Sequence, residues 1–549
     1  MQGGGGFPTP LHYYHKRRSE AQNMGKYVLK RLLYGAVSAV IVVLIVMVLI
    51  YSMLDRNKIF SGDPAYNHTA SNGRTTYEYA RWEAYGYVDY ITYADYLRDQ
   101  VKAGAMDAET QKAAAALGRT PEKDPELTAE YTARFREEYE SQGYEVVRLD
   151  ADVNKKGRVK DGGNPAMFAV KDVPLLQRAA TYFTKMFQID SIHYVPEETD
   201  IGERGLTFTL YDPVYGGEKF SPAIIGNGTK YKYQLYFDDQ FPFIHQNMLT
   251  INLGESFTVN QGVDVFTTMT DTQGAYVLSS ITYPTGVVMD RADDLHTATY
   301  VEGSKDSIAS NAERFTDDYT NVRTTKGGLS RLGYSFVMGI LSTIMAYVLG
   351  LPIGLMMARH KEGLLDKIGT VYIMFIIAVP SLAYIFLFKA IGTSLFGLPG
   401  VFDMESSSKL MYVLPVISLT LPSVANLMKW MRRYMIDQMN SDYVKFARSG
   451  GLTESEIFTK HIWKNAAIPI THGIPGSIIF AMTGAIITER VYVVPGAGNL
   501  LTTAINRYDN AVIVGVTLFY AVLSVVSIIL GDVLMATVDP RISFTNKAR

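Results

Sequence analysis

Long runs of apolar residues constrain this chain more than any other feature of its sequence. Residues 32–54 form one such run and contain no charged residue. The hydrocarbon core of a bilayer is about 30 Å thick, so a helix that spans it needs roughly 20 mostly apolar residues. Five more candidates follow in the C-terminal part, at about 335–358, 368–391, 411–428, 473–487 and 511–538. The sequence therefore predicts an α-helical membrane protein with six transmembrane helices.

Basic residues near the ends of these spans predict the orientation, because cytoplasmic loops carry an excess of lysine and arginine. With six spans, all the basic clusters fall on the same side of the membrane. They are Lys16, Arg17, Arg18, Lys26, Lys30 and Arg31 before the first span, Arg359, Lys361 and Lys367 after the second, a group between 429 and 464 after the fourth, and Arg541, Lys547 and Arg549 in the tail. Both termini are therefore predicted to be cytoplasmic.

The formal net charge of −2 conceals two parts of opposite character. Acidic residues outnumber basic ones between residues 55 and 326, whereas the rest of the chain is basic and strongly apolar. We therefore predict four regions, which are a cytoplasmic tail (1–31), the first transmembrane helix (32–54), a large external domain (55–326) and a membrane domain (327–545).

Glycine and proline interrupt several of the predicted spans, at Gly350, Pro352, Gly354, Pro380, Pro415, Pro422 and Gly484. Membrane helices tolerate such residues where neighbouring helices or a cavity satisfy the freed backbone groups. The residues fit a transport path lined by bent helices, and they fit ordinary helix packing equally well. Charged residues are scarce within the spans, which argues against a pump built on intramembrane carboxylates.

The loop after the fourth predicted span, residues 430–470, is too long for a simple connection and contains its own helix signals. Gly450 and Gly451 can end one helix, since glycine adopts the left-handed cap conformation at little cost. Thr453 and Glu456 form a capping box that can begin the next helix, and Pro469 is expected to limit that helix downstream. The pattern predicts helix, turn and helix on the cytoplasmic face.

This loop resembles the EAA loop of ABC importer permeases, whose short helix docks into a groove on the ATPase subunit. Lys445 and Phe446 replace the first two letters of the general Glu-Ala-Ala motif, so the resemblance is closer to the oligopeptide and dipeptide permease subclass. The positions that match this subclass in order are Asp442, Tyr443, Val444, Ala447, Arg448, Gly451, Leu452, His461, Asn465, Ala466 and Pro469. Over roughly 24–65 and 240–545, the chain is similar to the first of the two paired permease subunits in the binding-protein-dependent transport inner-membrane component family.

The resemblance implies the type I ABC importer permease fold in the cytoplasmic membrane of a bacterium. It also implies a set of partners, which are a second permease subunit, two ABC ATPase subunits, an external peptide-binding lipoprotein, an oligopeptide substrate and the lipid bilayer. ATP and Mg²⁺ would be bound by the ATPase subunits, so no cofactor and no nucleic acid are expected on this chain. The residues expected to couple it to the ATPases are Asp442, Tyr443, Ala447, Arg448, Gly451, Leu452, Thr453, Glu456, His461, Asn465 and Pro469, with the coupling helix at about 454–465.

Residues from about 66 to 239 depart from the family pattern, since relatives usually have a shorter external connection there. Helical spacing at 77–101, 129–142 and 173–188 and strand-like alternation at 206–211 and 231–237 predict an inserted α+β domain. The first half of the insert is rich in tyrosine. These tyrosines fit a contact face for a binding protein or peptide, or an aromatic core and membrane-interface belt.

Motifs for catalysis or metal binding are absent from the sequence. There is no phosphate-binding loop and no His-Glu-x-x-His motif; the nearest look-alike to the former, 226–230, has the wrong spacing. Cysteine is absent as well, which excludes disulfides, thiolate catalysis and cysteine-ligated metals. The chain is therefore not expected to be an enzyme by itself. Two alternatives are a membrane-anchored receptor with a ligand-binding external domain and a secondary transporter.

Overall fold

The computed structural model describes residues 10–538 apart from 54, 62, 119–124, 196–200, 212–219, 232, 238–243, 261, 271–275, 278–279, 283–287, 291–324, 327–328 and 404–407. The first helix, α1 (Pro10–Met53), is 44 residues long and contains the apolar stretch Gly25–Tyr51. Helical structure therefore extends from the first span into the predicted tail. The basic residues of the C-terminal tail, Arg541, Lys547 and Arg549, lie outside the described residues.

The first half of the 55–326 domain contains a small antiparallel sheet covered by helices. The strands are ordered β1-β3-β2. The elements are a 3₁₀ turn (Arg56–Phe60), α2 (Pro64–His68), α3 (Ser71–Ala84), β1 (Val88–Thr92), α4 (Tyr93–Lys102), α5 (Ala108–Ala114), α6 (Pro125–Ser141), β2 (Glu145–Leu149) and β3 (Ala166–Asp172). Tyr87, Tyr90, Tyr93 and Tyr96 are buried against Phe135 and Phe168. This packing favours the aromatic core over a contact face for these tyrosines.

The second half is built mainly from strands. The strands β5 to β8 form a four-stranded antiparallel sheet in chain order, and β4 pairs with β9. The predicted strands at 206–211 and 231–237 correspond to β5 and β7. The elements are α7 (Leu175–Met186), β4 (Phe187–Ile189), β5 (Gly205–Thr209), β6 (Ala223–Asn227), β7 (Tyr233–Phe237), β8 (Ile244–Gln246), β9 (Leu249–Ile251), α8 (Val265–Thr270), β10 (Tyr276–Val277), β11 (Ser280–Thr282), β12 (Val288–Asp290) and β13 (Thr325–Lys326).

The remaining described elements are almost entirely helical. They are α9 (Arg331–Arg359), α10 (Leu364–Ala378), α11 (Ser381–Phe396), a 3₁₀ turn (Lys409–Tyr412), α12 (Val413–Met439), α13 (Asp442–Ser449), α14 (Glu454–Glu456), a π-helical segment (Ile457–Ile462), α15 (Trp463–His472), α16 (Ile474–Tyr492), α17 (Ala497–Asn506) and α18 (Asn510–Val538). Ser330 begins α9 by accepting a hydrogen bond from the Gly333 N–H, which satisfies one of the free donors of the first turn.

Four helices in the described part of the chain are long and apolar enough to cross a membrane, namely Gly25–Tyr51, Arg331–Arg359, Lys409–Met439 and Asn510–Val538. Together, α10 and α11 would make a fifth span, but they meet at a bend of 115°. The predicted span at 368–391 is therefore divided between two helices. Pro380 explains the break, because proline has no N–H to donate and disfavours helical geometry at Val379. Residues 473–487 fall largely within α16, which has 19 residues but is not among these spans, so the count of six is not confirmed.

Two glycines allow α9 and α12 to approach closely. A Cβ on Gly350 would lie 2.9 Å from the Cβ of Leu427, and a Cβ on Gly354 would lie 2.9 Å from the carbonyl oxygen of Met428. Small residues spaced four apart are typical of tightly packed membrane helices. At this pair of positions the glycines therefore serve helix packing.

The 55–326 domain is joined to the membrane helices by packing and by hydrogen bonds. Leu253, Val265 and Met269 are buried in one cluster with residues of α1, α17 and α18. Nearby, the Arg178 guanidinium lies over the rings of Tyr51 and Tyr87 and donates a hydrogen bond of 2.7 Å to the Tyr87 carbonyl. The domain is therefore fixed to the helices at its base.

Candidate functional site

The turn at the centre of the 430–470 loop depends on Gly451. Helix α13 ends at Ser449, and the Gly451 N–H donates a hydrogen bond of 3.1 Å to the Arg448 carbonyl. Gly451 itself has a φ of 85°, a left-handed conformation that costs other L-residues about 1–2 kcal/mol. The predicted helix stop is confirmed, and Gly451 provides the backbone geometry of the turn between α13 and α14.

The next helix begins with the predicted capping box. The Thr453 Oγ1 accepts a hydrogen bond of 3.3 Å from the Glu456 N–H, and the Glu456 carboxylate accepts one of 3.1 Å from the Thr453 N–H. The bond from the Thr453 backbone lowers the pKa of Glu456 below its usual value, so this side chain is an acceptor at neutral pH. Two of the free N–H groups at the helix start are thereby satisfied.

An ion pair closes the turn from the outside. The Arg448 guanidinium donates to both oxygens of Glu454, over 2.6 and 3.1 Å. These hydrogen bonds lower the pKa of Glu454. The pair joins the last turn of α13 to the first residue of α14, so the two helices are held in one arrangement.

The second helix continues much further than predicted. Residues Glu454–Glu456, the π-helical segment Ile457–Ile462 and α15 follow one another without a break as far as His472. The prediction that Pro469 limits this helix is wrong, since Pro469 lies inside α15. A proline removes one backbone hydrogen bond, and the buried neighbours Ala466 and Ile470 hold the helix against the bundle.

Apolar residues fix this helical pair to the ends of α9 and α12. Val444, Ala447, Ile457, Phe458, Ile462, Ala466 and Ile470 are buried in one cluster with Ala358, Met431 and Met435. The Arg359 guanidinium lies 5.5 Å from the centre of the Phe458 ring. The loop is therefore a packed part of the membrane domain.

The predicted coupling residues fall into three groups, of which the first two are at the turn and along the second helix. Arg448, Gly451, Leu452, Thr453 and Glu456 surround the turn, whereas His461, Asn465 and Pro469 lie along the second helix. At 1.5 Å per residue, Pro469 is roughly 20 Å from the start of that helix. The structure therefore does not bring all the predicted residues together.

The remaining predicted residues lie on α13. Asp442 is exposed and paired with Lys445 over 2.9 Å, Ala447 is buried, and the half-buried Tyr443 hydroxyl donates to the Gln438 side chain over 2.8 Å. Tyr443 therefore connects α13 to the end of α12, and the Asp442 side chain is exposed on the protein surface.

Phe446 is an exposed residue of the loop that was not among the predicted coupling residues. Its side chain is 80% exposed, although it lies between the buried residues Val444 and Ala447. Exposed aromatic residues are enriched where partner proteins bind. Helical spacing could have predicted the exposure of Phe446, because Val444 and Ala447 lie on one face of α13 and Phe446 lies on the other.

Comparison with known proteins identifies the class. Residues 350–544 match the family of binding-protein-dependent transport system inner membrane components. The oligopeptide transport system permease protein AmiC of Streptococcus pneumoniae is 32% identical over 534 residues, which cover 95% of this chain and 99% of AmiC. The chain belongs to this family and is therefore a permease subunit of an ABC importer, which replaces the receptor and secondary-transporter alternatives.

Two further comparisons cover less of the chain. The dipeptide transport system permease protein DppB of Lactococcus lactis subsp. cremoris is 33% identical over 227 residues, which cover 41% of this chain and 73% of DppB. A solved structure of the MetNI methionine ABC transporter has 12% identity and a TM-score of 0.30 and covers 38% of this chain and 93% of its own. The alignment with AmiC is long enough to include most of the 55–326 domain.

Proposed function

We propose that this permease moves oligopeptides across the cytoplasmic membrane of a bacterium, driven by ATP hydrolysis in partner subunits. The observation that carries the proposal is the similarity to AmiC along nearly the whole length of both chains. The assembly would contain a second permease, two ABC ATPase subunits and an external peptide-binding lipoprotein. Both termini would be cytoplasmic, and the 55–326 domain would be external.

The 430–470 loop is proposed as the contact with an ATPase subunit. Its two helices are fixed by the Gly451 turn, the capping box and the Arg448–Glu454 pair. A helix held at its start transmits a push better than an unconstrained loop does. The residues Asp442 and Phe446 are accessible to a partner, and the second helix leads from the turn into the membrane domain.

The test is to purify the tagged chain from its native membranes in a mild detergent and to identify the proteins that accompany it. Recovery of two ATP-binding proteins and a second permease, followed by ATP-dependent peptide uptake after reconstitution in vesicles, supports the proposal. Recovery of the chain without any ATPase contradicts it. If the assembly is intact but carries another solute, the oligopeptide substrate is wrong and the coupling assignment is retained.

A further inference from the structure

A cavity of about 540 Å³ opens between α9, α12 and the junction of α15 with α16. The long helix that begins in the 430–470 loop ends at this junction. The lining residues are Thr343, Ala346, Tyr347, Pro422, Ser423, Asn426, Leu427, Gly473, Gly476 and Ser477. None of these carries a charge, and half of them have a hydroxyl or an amide side chain.

Three polar residues of the cavity lie near the middle of long helices. Asn426 is near the middle of α12 (Val413–Met439), and Thr343 and Tyr347 are on either side of the middle of α9 (Arg331–Arg359). Asn426 is nevertheless exposed on the surface of this chain. Polar side chains inside a membrane normally face a protein or a water-filled cavity. Asn426 lies within the predicted span 411–428, three residues before Lys429, and it lines this cavity.

A second observation points to a ligand in this cavity. The side chain of Thr343 is buried, with 6% of its surface exposed, and its Oγ1 has no hydrogen-bond partner among the residues that the structure describes. Buried polar groups are nearly always hydrogen-bonded to protein or water. The cavity therefore offers an unsatisfied hydroxyl beside the amide of Asn426 and the hydroxyls of Ser423 and Ser477.

We propose that this cavity is the section of the translocation path that this subunit contributes, and that it binds the peptide bonds of the passing substrate. The inference rests on the proposed function. Amide and hydroxyl groups can donate to a peptide carbonyl and accept from a peptide N–H. Peptide bonds are common to all oligopeptides, and the uncharged lining places no fixed charge against the substrate's side chains. The path therefore accepts peptides of different sequence.

The cavity also has a direct connection to the coupling loop. The helix that begins at the capping box ends at His472, and the next residues, Gly473, Gly476 and Ser477, form one wall of the cavity. Across the cavity, the Tyr347 hydroxyl and the Ser477 Oγ are 3.1 Å apart. A displacement of the helix by an ATPase subunit would move this wall and break that hydrogen bond. The same motion would change the width of the path.

The absence of cysteine makes a direct test possible, because each introduced cysteine is the only one in this chain. Asn426→Cys is compared with Ile344→Cys, an exposed apolar position on α9 outside the cavity. The assembled importer in vesicles is treated with a charged, membrane-impermeant methanethiosulfonate. Thiolates react and thiols in apolar surroundings have a raised pKa, so Asn426→Cys is expected to react at least about tenfold faster. A mixture of oligopeptides is expected to slow that reaction.

Equal reactivity at the two positions overturns the inference. Reactivity of Asn426→Cys in the isolated chain but not in the assembly overturns it as well, because the face is then covered by the second permease. Uptake provides an independent measure, since Asn426→Leu should slow peptide transport while Asn426→Gln retains most of it. Failure of the proposed function is recognised separately, because the unmodified importer would then transport no peptide.

Discussion

Asp509 and Ser256 are joined by a hydrogen bond of 2.7 Å although 253 residues separate them in the chain. The Ser256 hydroxyl donates to the Oδ2 of Asp509, which is fully buried at the start of α18. The same oxygen accepts the backbone N–H groups of Phe257, Thr258 and Val259 over 2.9 to 3.0 Å. One carboxylate therefore holds the loop that follows β9 against the membrane helices.

Asp509→Ala is expected to destabilise this junction. A buried donor without a partner costs about 1–3 kcal/mol, and the substitution leaves five donors without their acceptor, the fifth being the Val512 N–H, so the free energy of unfolding should fall by at least about 2 kcal/mol. Thermal unfolding in detergent measures the loss, and limited proteolysis should cut earlier near residue 257. The control is Asp161→Ala, which removes an exposed carboxylate. Equal melting temperatures for the two variants would count against this role of Asp509.

A second buried carboxylate joins the start of α10 to the later part of α12. Asp366 at the start of α10 accepts two hydrogen bonds from the Arg432 guanidinium, over 2.5 and 2.8 Å, and its side chain is only 5% exposed. Removing one partner of a buried ion pair costs about 3–5 kcal/mol, because the other charge remains buried. Arg432→Met should therefore destabilise the protein strongly.

The double variant Asp366→Leu with Arg432→Met tests whether the charge or the packing is responsible. Since both charges are removed, it should recover a substantial part of the stability that Arg432→Met loses. The four proteins of this cycle are compared by thermal unfolding in the same detergent. A double variant that is no more stable than Arg432→Met would show that the unpaired charge is not the cause.

Local signals predicted the loop well. Gly451 and the Thr453–Glu456 pair act through backbone geometry within a few residues, and the structure has both as expected. The prediction at Pro469 failed, and the angle of the bend within 368–391 could not be predicted, for a common reason. Whether a proline breaks a helix depends on the packing around it, which a single sequence does not contain. Pro469 is held in a continuous helix, and Pro380 separates two helices at 115°.

The residues of the cavity could not be predicted from the sequence either, because they come together only through helix packing. Thr343, Ser423 and Ser477 are small polar residues of a kind found in many membrane helices, and they come from three separate segments. Only the packing of α9 against α12, set by Gly350 and Gly354, and the position of Gly473 bring them together. Similarly, the interaction of Asp509 with Ser256 joins positions too distant in sequence for any spacing rule.

Substitutions at Gly451 distinguish the effect of backbone conformation from the effect of side-chain volume. A Cβ at this position would meet no atom of the described residues within 4 Å, but φ is 85°. A β-branched residue is therefore excluded by strain alone, whereas asparagine tolerates this region. Gly451→Val is expected to uncouple ATP hydrolysis from peptide uptake, and Gly451→Asn should leave both near normal. The ratio of ATP hydrolysed to peptide transported, measured in vesicles, distinguishes them. Normal coupling in Gly451→Val would refute the role of the turn.

Phe446 provides the most direct test of the contact with an ATPase subunit. Its ring is 80% exposed, so Phe446→Ser should leave the fold and melting temperature of the isolated chain unchanged. Truncating a central aromatic residue in an interface costs about 2 kcal/mol or more, which corresponds to roughly thirtyfold in Kd. The affinity of the purified ATPase for the permease in detergent is the quantity to measure.

Phe396→Ser is the matched control for this substitution. Phe396 is also an exposed phenylalanine, with 72% of its surface accessible, and it ends α11. That end lies at the opposite side of the bundle from the loop, because the nearby Gly392 packs against Leu414 at the start of α12, whereas the loop follows the end of α12. An ATPase that binds Phe446→Ser and Phe396→Ser equally well does not use the exposed face of α13. A loss confined to Phe446→Ser places that face within the interface, because the two substitutions remove the same ring from surfaces of similar exposure.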